Sequence, residues 1–232
     1  MALLFEELDY QKTALGELVL RRRGSPAVPD GLVYEVTLDG EMLMSSTVNA
    51  SERALARLAL EARAGRPCDV LVGGLGLGYT AAAALEYPNV RRLVVVELLA
   101  PVIAWHRERL VPTACKLIDD SRCSLVAGDF FEHVGRGSSA RRYDVILLDI
   151  DHSPDSWLHA RHGDFYTGDG LRGLAARLQP DGVFALWSAW EPAAEFLDVL
   201  GTVFPSVQGH EVPFFNPHVN QMDSNWVILA GG

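Results

Sequence analysis

The segment that most constrains the fold is Asp69-Val70-Leu71-Val72-Gly73-Gly74-Leu75-Gly76-Leu77-Gly78-Tyr79-Thr80-Ala81-Ala82-Ala83. A short apolar run breaks into closely spaced glycines and then into alanine-rich, helix-favouring sequence. Such a run reads as a strand buried on both faces, which requires helices on each side of a parallel sheet. Glycines let the chain turn sharply and let a ligand approach the backbone, beside the unpaired N–H groups of a helix N-terminus. The segment predicts an open α/β sheet with a ligand over its carboxyl edge.

The rest of the chain repeats this grammar. Strand candidates lie at 69–73, 92–97, 124–127, 143–149 and 182–187, with later ones near 206–213 and 225–230. Helix candidates fall at 79–87, 100–110, 165–178 and 191–201. The expectation is an α/β fold with a Rossmann-like, doubly wound, seven-stranded sheet. Residues 10–46 read instead as β-structure, with alternating runs at Leu15–Leu20 and Leu32–Leu38 separated by a turn region that includes Pro29 and Asp30. Asp39-Gly40 signals a tight hairpin. A helix is expected after Ser51, ended by Gly65-Arg66-Pro67. This divides the chain into a small N-terminal β-hairpin extension, 1–50, and a Rossmann-like catalytic domain, 51–232.

Charge narrows the partners. Lys and Arg number 20 against 30 Asp and Glu in 232 residues, a net charge of −10, which argues against non-specific binding of nucleic acid. The one basic run, Arg21-Arg22-Arg23, reads as solvated. Cys68, Cys115 and Cys123 form no CxxC pair, which suits a reducing compartment. Met1–Phe5 leads straight into Glu6-Glu7 without a basic region, and no apolar stretch nears the ~20 residues of a membrane span. A cytoplasmic protein acting on small molecules is expected, with no membrane or nucleic-acid partner and a homodimer open to it.

The ligand is read from the strand ends. Gly76-x-Gly78-x-x-Ala81 fits a dinucleotide fingerprint, whereas Gly74-x-Gly76-x-Gly78 suits S-adenosylmethionine. Glu97, nineteen residues past Gly78, closes the second strand and can accept both hydroxyl protons of a ribose. Asp129 and Asp149 close the third and fourth. Carboxylates at three successive strand ends suit a ribose, an adenine amine and a cationic tail, and they would repel a pyrophosphate. A nucleoside sulfonium is therefore the expected ligand.

The loop Asp149-Ile150-Asp151-His152-Ser153-Pro154-Asp155 is the catalytic candidate. Asp149 is placed to hold a cation. Asp151 is favoured as base or cation anchor, with His152 as its competitor, since an imidazole titrates near neutrality. His159 and His162 follow on the same segment, but the spacing matches no zinc motif and no metal is expected. His106 reads as structural. Trp187, Trp190, Phe214, Phe215, Asn216, His218 and Asn220 divide between core and an acceptor pocket, with Trp187 and Trp190 candidates for its lining.

Asp69–Leu110, Gly128-Asp129 and Tyr143–Asp155 resemble the spermidine synthase family of polyamine aminopropyltransferases, within the class I S-adenosylmethionine-dependent methyltransferase superfamily. Tyr10-Gln11, Leu38-Asp39-Gly40 and Trp226–Ala230 are similar to that family's N-terminal hairpin and last strand. The resemblance implies the class I methyltransferase sheet, Glu97 on the ribose, Asp129 on the adenine edge, Gln11 on the cofactor tail, and Asp149 as first aspartate of the catalytic loop. Gly74, Gly76 and Gly78 would line the cofactor. The chain departs from the family where Gly76 replaces an aspartate that grips the amine of decarboxylated S-adenosylmethionine. Ser46–Glu52 also lacks the family's Glu-Arg-Asp-Glu-x-x-Tyr pattern. On that departure the expected reaction is methyl transfer from S-adenosylmethionine to a small amine or hydroxyl. The alternatives are aminopropyl transfer from decarboxylated S-adenosylmethionine and a non-catalytic nucleoside-binding protein.

Overall fold

The computed structural model describes residues 5–26, 28, 31–135, 141–217 and 219–232. Pro29 and Asp30 of the expected turn and His218 of the aromatic cluster lie outside them.

Four antiparallel strands come first: β1 (Phe5–Thr13), β2 (Gly16–Gly24), β3 (Leu32–Leu38) and β4 (Glu41–Ser45), paired in chain order. Asp39 and Gly40, both at positive φ, make the tight β3–β4 turn. Leu18, Leu20 and Val36 are fully buried and share one core with the parallel sheet, so the extension packs as part of the main body. The basic run is ion-paired rather than solvated. Arg21 and Arg23 reach the buried Glu35 at 2.9 and 2.8 Å, and Arg22 reaches Glu6 at 2.6 Å. Burial pushes the Glu35 carboxyl up, but its bonds from Arg23 and Arg21 outweigh this and hold it below its ordinary range.

Helix α1 (Ala50–Ala62) follows, beginning a residue before Ser51. Then come β5 (Cys68–Gly73), α2 (Tyr79–Leu85), β6 (Val90–Glu97), α3 (Ala100–Arg107), α4 (Ala114–Ile118), β7 (Cys123–Ala127), α5 (Phe130–Val134) and β8 (Tyr143–Leu148). A 3₁₀ turn, Ala160–Asp164, precedes α6 (Gly168–Ala175), β9 (Leu178–Ser188), α7 (Ala194–Gly201), β10 (Ser206–Asn216) and β11 (Gln221–Gly231). The second sheet has seven strands in the order β10-β11-β9-β8-β5-β6-β7. β7, β6, β5, β8 and β9 run parallel, and the β10–β11 hairpin closes the edge antiparallel. This is the doubly wound sheet expected of the class I methyltransferase type. One core cluster, with α1, α2 and α3, covers one face, and a second, built on Phe130, Phe165, Phe184 and Leu171, covers the other. Chain order reverses beside β5, which leaves a crevice over the carboxyl ends of β5, β6 and β8.

Candidate active site

A cavity of about 300 Å³ occupies that crevice. Its floor is the glycine loop. Gly74, Gly76 and Gly78 all have positive φ and all line it. His106, on the buried face of α3, lies 2.9 Å through Nε2 from the Gly76 carbonyl and supports the loop. A carbonyl only accepts, so Nε2 carries the hydrogen and donates it; burial lowers the ring's pKa.

Glu97, at the end of β6, faces the same loop. Its Oε2 accepts from the Leu75 amide at 2.9 Å and its Oε1 from the Leu99 amide at 2.8 Å. Burial raises its pKa, while these amide bonds pull the other way. The carboxylate thus fixes the loop and still offers lone pairs to the cavity. Asp129 follows β7 by two residues and caps α5, its Oδ1 accepting from the Phe131 amide at 2.8 Å. It lines the cavity too.

Asp149 leaves β8 deep in the fold, open only to the cavity. Its Oδ2 accepts from the Thr80 hydroxyl at 2.6 Å. Burial raises its pKa to about 6, against the pull of the Thr80 bond. Glu52, in the first turn of α1, joins it in the lining. Burial first, and then the charge of Asp149, raise Glu52 to about 7. The Ser51 hydroxyl lies 3.0 Å from Glu52 Oε2 and 2.9 Å from Asn225 Oδ1, and its one proton serves either. Sequence reasoning missed Glu52, which lies on a helix rather than at a strand end. No local signal marks it, because its place depends on how α1 packs against the sheet.

Asp151 is buried and fully engaged. Its Oδ1 accepts from the Leu158 amide at 2.8 Å and pairs with His162 Nδ1 at 2.7 Å, and its Oδ2 accepts from the Tyr166 hydroxyl at 2.9 Å. The expectation that Asp151 itself removes a proton does not fit a carboxylate held this way. His152 is exposed and borders the cavity, its carbonyl tied to the Ala189 amide at 2.7 Å. Trp187 lines the cavity, and its indole N–H is buried without a partner among the described residues. Trp190 is exposed outside the lining. Gln11 is a correction: it lies exposed on β1, its amide donating to Asp9 at 2.9 Å, and does not line the cavity. Asp9 instead takes a 2.6 Å bond from the Trp105 indole, which anchors β1 to α3.

Five carboxylates, Glu52, Glu97, Asp129, Asp149 and Asp151, therefore border one cavity, and none of its described lining residues is a lysine or arginine. Such a lining suits a cationic ligand that carries a polar nucleoside.

The model of the spermine/spermidine synthase domain matches residues 48–200. The chain is 34% identical over 161 residues to polyamine aminopropyltransferase 2 of Pseudomonas aeruginosa, covering 64% of this chain and 44% of that protein. It is 28% identical over 184 residues to the polyamine aminopropyltransferase of Sulfolobus acidocaldarius, covering 78% and 54%. The chain spans about half the length of these curated relatives. A spermidine synthase solved with the transition-state analogue AdoDATO superposes with a TM-score of 0.73 at 21% identity, over 97% of this chain and 72% of that one. The spermidine synthase of Thermotoga maritima gives 0.74 at 20%, over 97% and 73%. At these identities the superpositions speak for the fold.

These matches overturn the expected methyl transfer, because the matching domain and the curated relatives point to aminopropyl transfer. That expectation leaned on the carboxylate missing at Gly76, and it did not count Glu52, which α1 brings to the same cavity. The chain belongs to the spermine/spermidine synthase family.

Proposed function

We propose that the chain transfers an aminopropyl group from decarboxylated S-adenosylmethionine to a primary amine of a diamine or polyamine. The observation that carries this reading is that five carboxylates, and no lysine or arginine among the described residues, line a largely apolar cavity. Both substrates are cationic, and the decarboxylated donor lacks the one anionic group such a lining would repel. The names of the curated relatives point the same way.

In the reaction the acceptor nitrogen attacks the methylene carbon bound to the sulfonium. A C–N bond forms, the C–S bond breaks with its electron pair passing to sulfur, and neutral methylthioadenosine leaves. Glu97 accepts from the ribose hydroxyls and Asp129 from the adenine amine. Glu52 and Asp149 hold the donor's amine and lie beside its positively charged sulfonium, supplying the charge absent at Gly76. Alignment of nitrogen, carbon and sulfur then accounts for a large part of the rate.

The test is turnover. The purified protein is incubated with decarboxylated S-adenosylmethionine and alkyl diamines of increasing length, and the products are read by mass spectrometry. Methylthioadenosine with an aminopropylated amine supports the reading. Tight donor binding with no product for any diamine would refute catalysis and leave a nucleoside-binding protein.

A further inference from the structure

We propose that His162 is the base that takes the acceptor amine's proton, with Asp151 and Tyr166 as the residues that position it. This rests on the aminopropyl-transfer reading and assigns a step within it.

The geometry begins with the 3₁₀ turn Ala160–Asp164. His159 caps it, its Nδ1 accepting from the Arg161 amide at 3.2 Å, and the turn lays His162 back over the loop that leaves β8. His162 is only 7% exposed, and it lines the cavity. Its Nδ1 meets Asp151 Oδ1 at 2.7 Å. A carboxylate can only accept, so Nδ1 carries the hydrogen and Nε2 of the neutral ring keeps the lone pair. Nε2 has no partner among the described residues.

The ring lies against Phe131, tilted by 36° with centroids 4.2 Å apart, and the next residue, Gly163, is packed so closely on the Trp157 indole that a Cβ there would lie 2.7 Å from it. Asp151 is fixed in turn by the Leu158 amide and the Tyr166 hydroxyl. The arrangement of an orienting carboxylate, an imidazole and an open Nε2 is that of a general base rather than of a packed core histidine.

The chemistry needs such a group. An alkylammonium has a pKa near ~10.4, so at neutral pH the attacking nitrogen has no free lone pair. Glu52 and Asp149, placed on the donor's amine, favour the charged form of an amine beside them and so act as holders of a cation. His162 Nε2 takes one proton from the ammonium, the freed lone pair attacks the sulfonium-bound carbon, and the imidazolium later gives its proton to solvent. Asp151 stabilises the imidazolium through Nδ1. The titratable groups facing His162 are Asp151, Tyr166 and His159, whose ring centroid is 5.9 Å away, and across the cavity Asp129, Asp149, Glu52 and His152.

The test measures methylthioadenosine release at saturating donor and 1,4-diaminobutane from pH 6 to 9.5. For His162→Gln the expected loss of kcat at pH 7.5 is about 10²–10⁴-fold, the usual worth of a general base. Donor affinity by titration should stay within about threefold, as expected for a group that acts on the acceptor rather than the donor. The deficit should shrink as pH rises, because the acceptor then arrives already neutral. Asp151→Asn should lower kcat less and shift the acid limb of the profile. A variant as fast as the wild type, or a deficit that ignores pH, overturns the proposal. Should His162→Gln fail to fold, the wild type is treated with diethyl pyrocarbonate and mapped by mass spectrometry. Modification at His162 should track the loss of activity and be blocked by the diamine; activity surviving full modification overturns the assignment. A wild type that releases no methylthioadenosine overturns the transfer reading and this step together, whereas an active wild type with an unimpaired variant overturns this step alone.

Discussion

Thr80 donates its hydroxyl to Asp149 Oδ2 at 2.6 Å, joining the first turn of α2 to the end of β8. The same hydroxyl lies 3.4 Å from the Glu52 carbonyl, so one side chain sits where α1, α2 and the loop after β8 meet. It is buried, and it is the side chain whose hydrogen bond favours the charged form of Asp149.

Replacing it tests that relationship. Thr80→Val keeps the shape and removes the donor, leaving a buried carboxyl oxygen unpaired at a cost of about 1–3 kcal/mol. Chemical denaturation should show a loss of that order, and donor affinity should fall with it. Unchanged stability and affinity would mean that Asp149 draws nothing from this bond.

Proton linkage gives a second expectation. Glu52 is raised to about 7 and Asp149 to about 6. For a carboxyl raised on folding, the folded state binds more protons than the unfolded one between the unfolded and folded pKa values. Stability therefore falls as pH rises through that window, which for Glu52 runs from 4.5 to about 7. Glu52→Gln should flatten this part of the profile relative to the wild type, as read from urea denaturation at pH 5, 6, 7 and 8. Parallel profiles would place Glu52 in water.

Glu97 separates loop support from ligand binding. Glu97→Gln keeps one acceptor oxygen for the Leu75 or Leu99 amide but cannot serve both amides and a ribose. Affinity for methylthioadenosine should drop by about 1–3 kcal/mol, the cost of stranding buried polar groups. Calorimetric titration of the folded variant checks this, and wild-type affinity would remove Glu97 from the ribose site.

Gly74 is a loop position where a side chain would first meet backbone rather than another side chain. Its φ is +89°, and a Cβ there would land on the carbonyl oxygen of Asp149. Gly74→Ala should cost at least the ~1–2 kcal/mol of the left-handed backbone. For a domain of this size, each kcal/mol lowers Tm by about 2–4 °C. Because the clash is with backbone, the loop and Asp149 must also move, so donor binding should weaken. A melting temperature equal to wild type would contradict the loop geometry.

The parts of the site that were legible in the sequence are those that a strand end dictates. Glu97 ends β6, Asp149 follows β8 by one residue and Asp129 follows β7 by two, and in an open α/β sheet those ends face the ligand. Glu52 was not legible, because its place depends on how α1 crosses the sheet, a tertiary relation with no local signal. His162 reaches Asp151 across eleven positions through a short 3₁₀ turn, whose capping by His159 leaves no periodic trace. The helices α4 and α5, five residues each, are too short for a 3.6-residue pattern to register. Resemblance fixed the position of Gln11 in the chain but not what its side chain meets: Gln11 shares a strand face with Asp9 and bonds to it, and it is the Asp9 carboxylate that reaches α3.

The most direct measurement of the central claim is a paired titration of the protein with decarboxylated S-adenosylmethionine and with S-adenosylmethionine at pH 7.5. The two ligands differ by one carboxylate, so their affinity ratio reports the sign of charge that the cavity selects. The acidic lining predicts that the decarboxylated donor binds at least about tenfold tighter, a difference of about 1.4 kcal/mol, and that Glu52→Gln narrows the gap. Equal affinities, or tighter binding of the carboxylated form, would contradict the account.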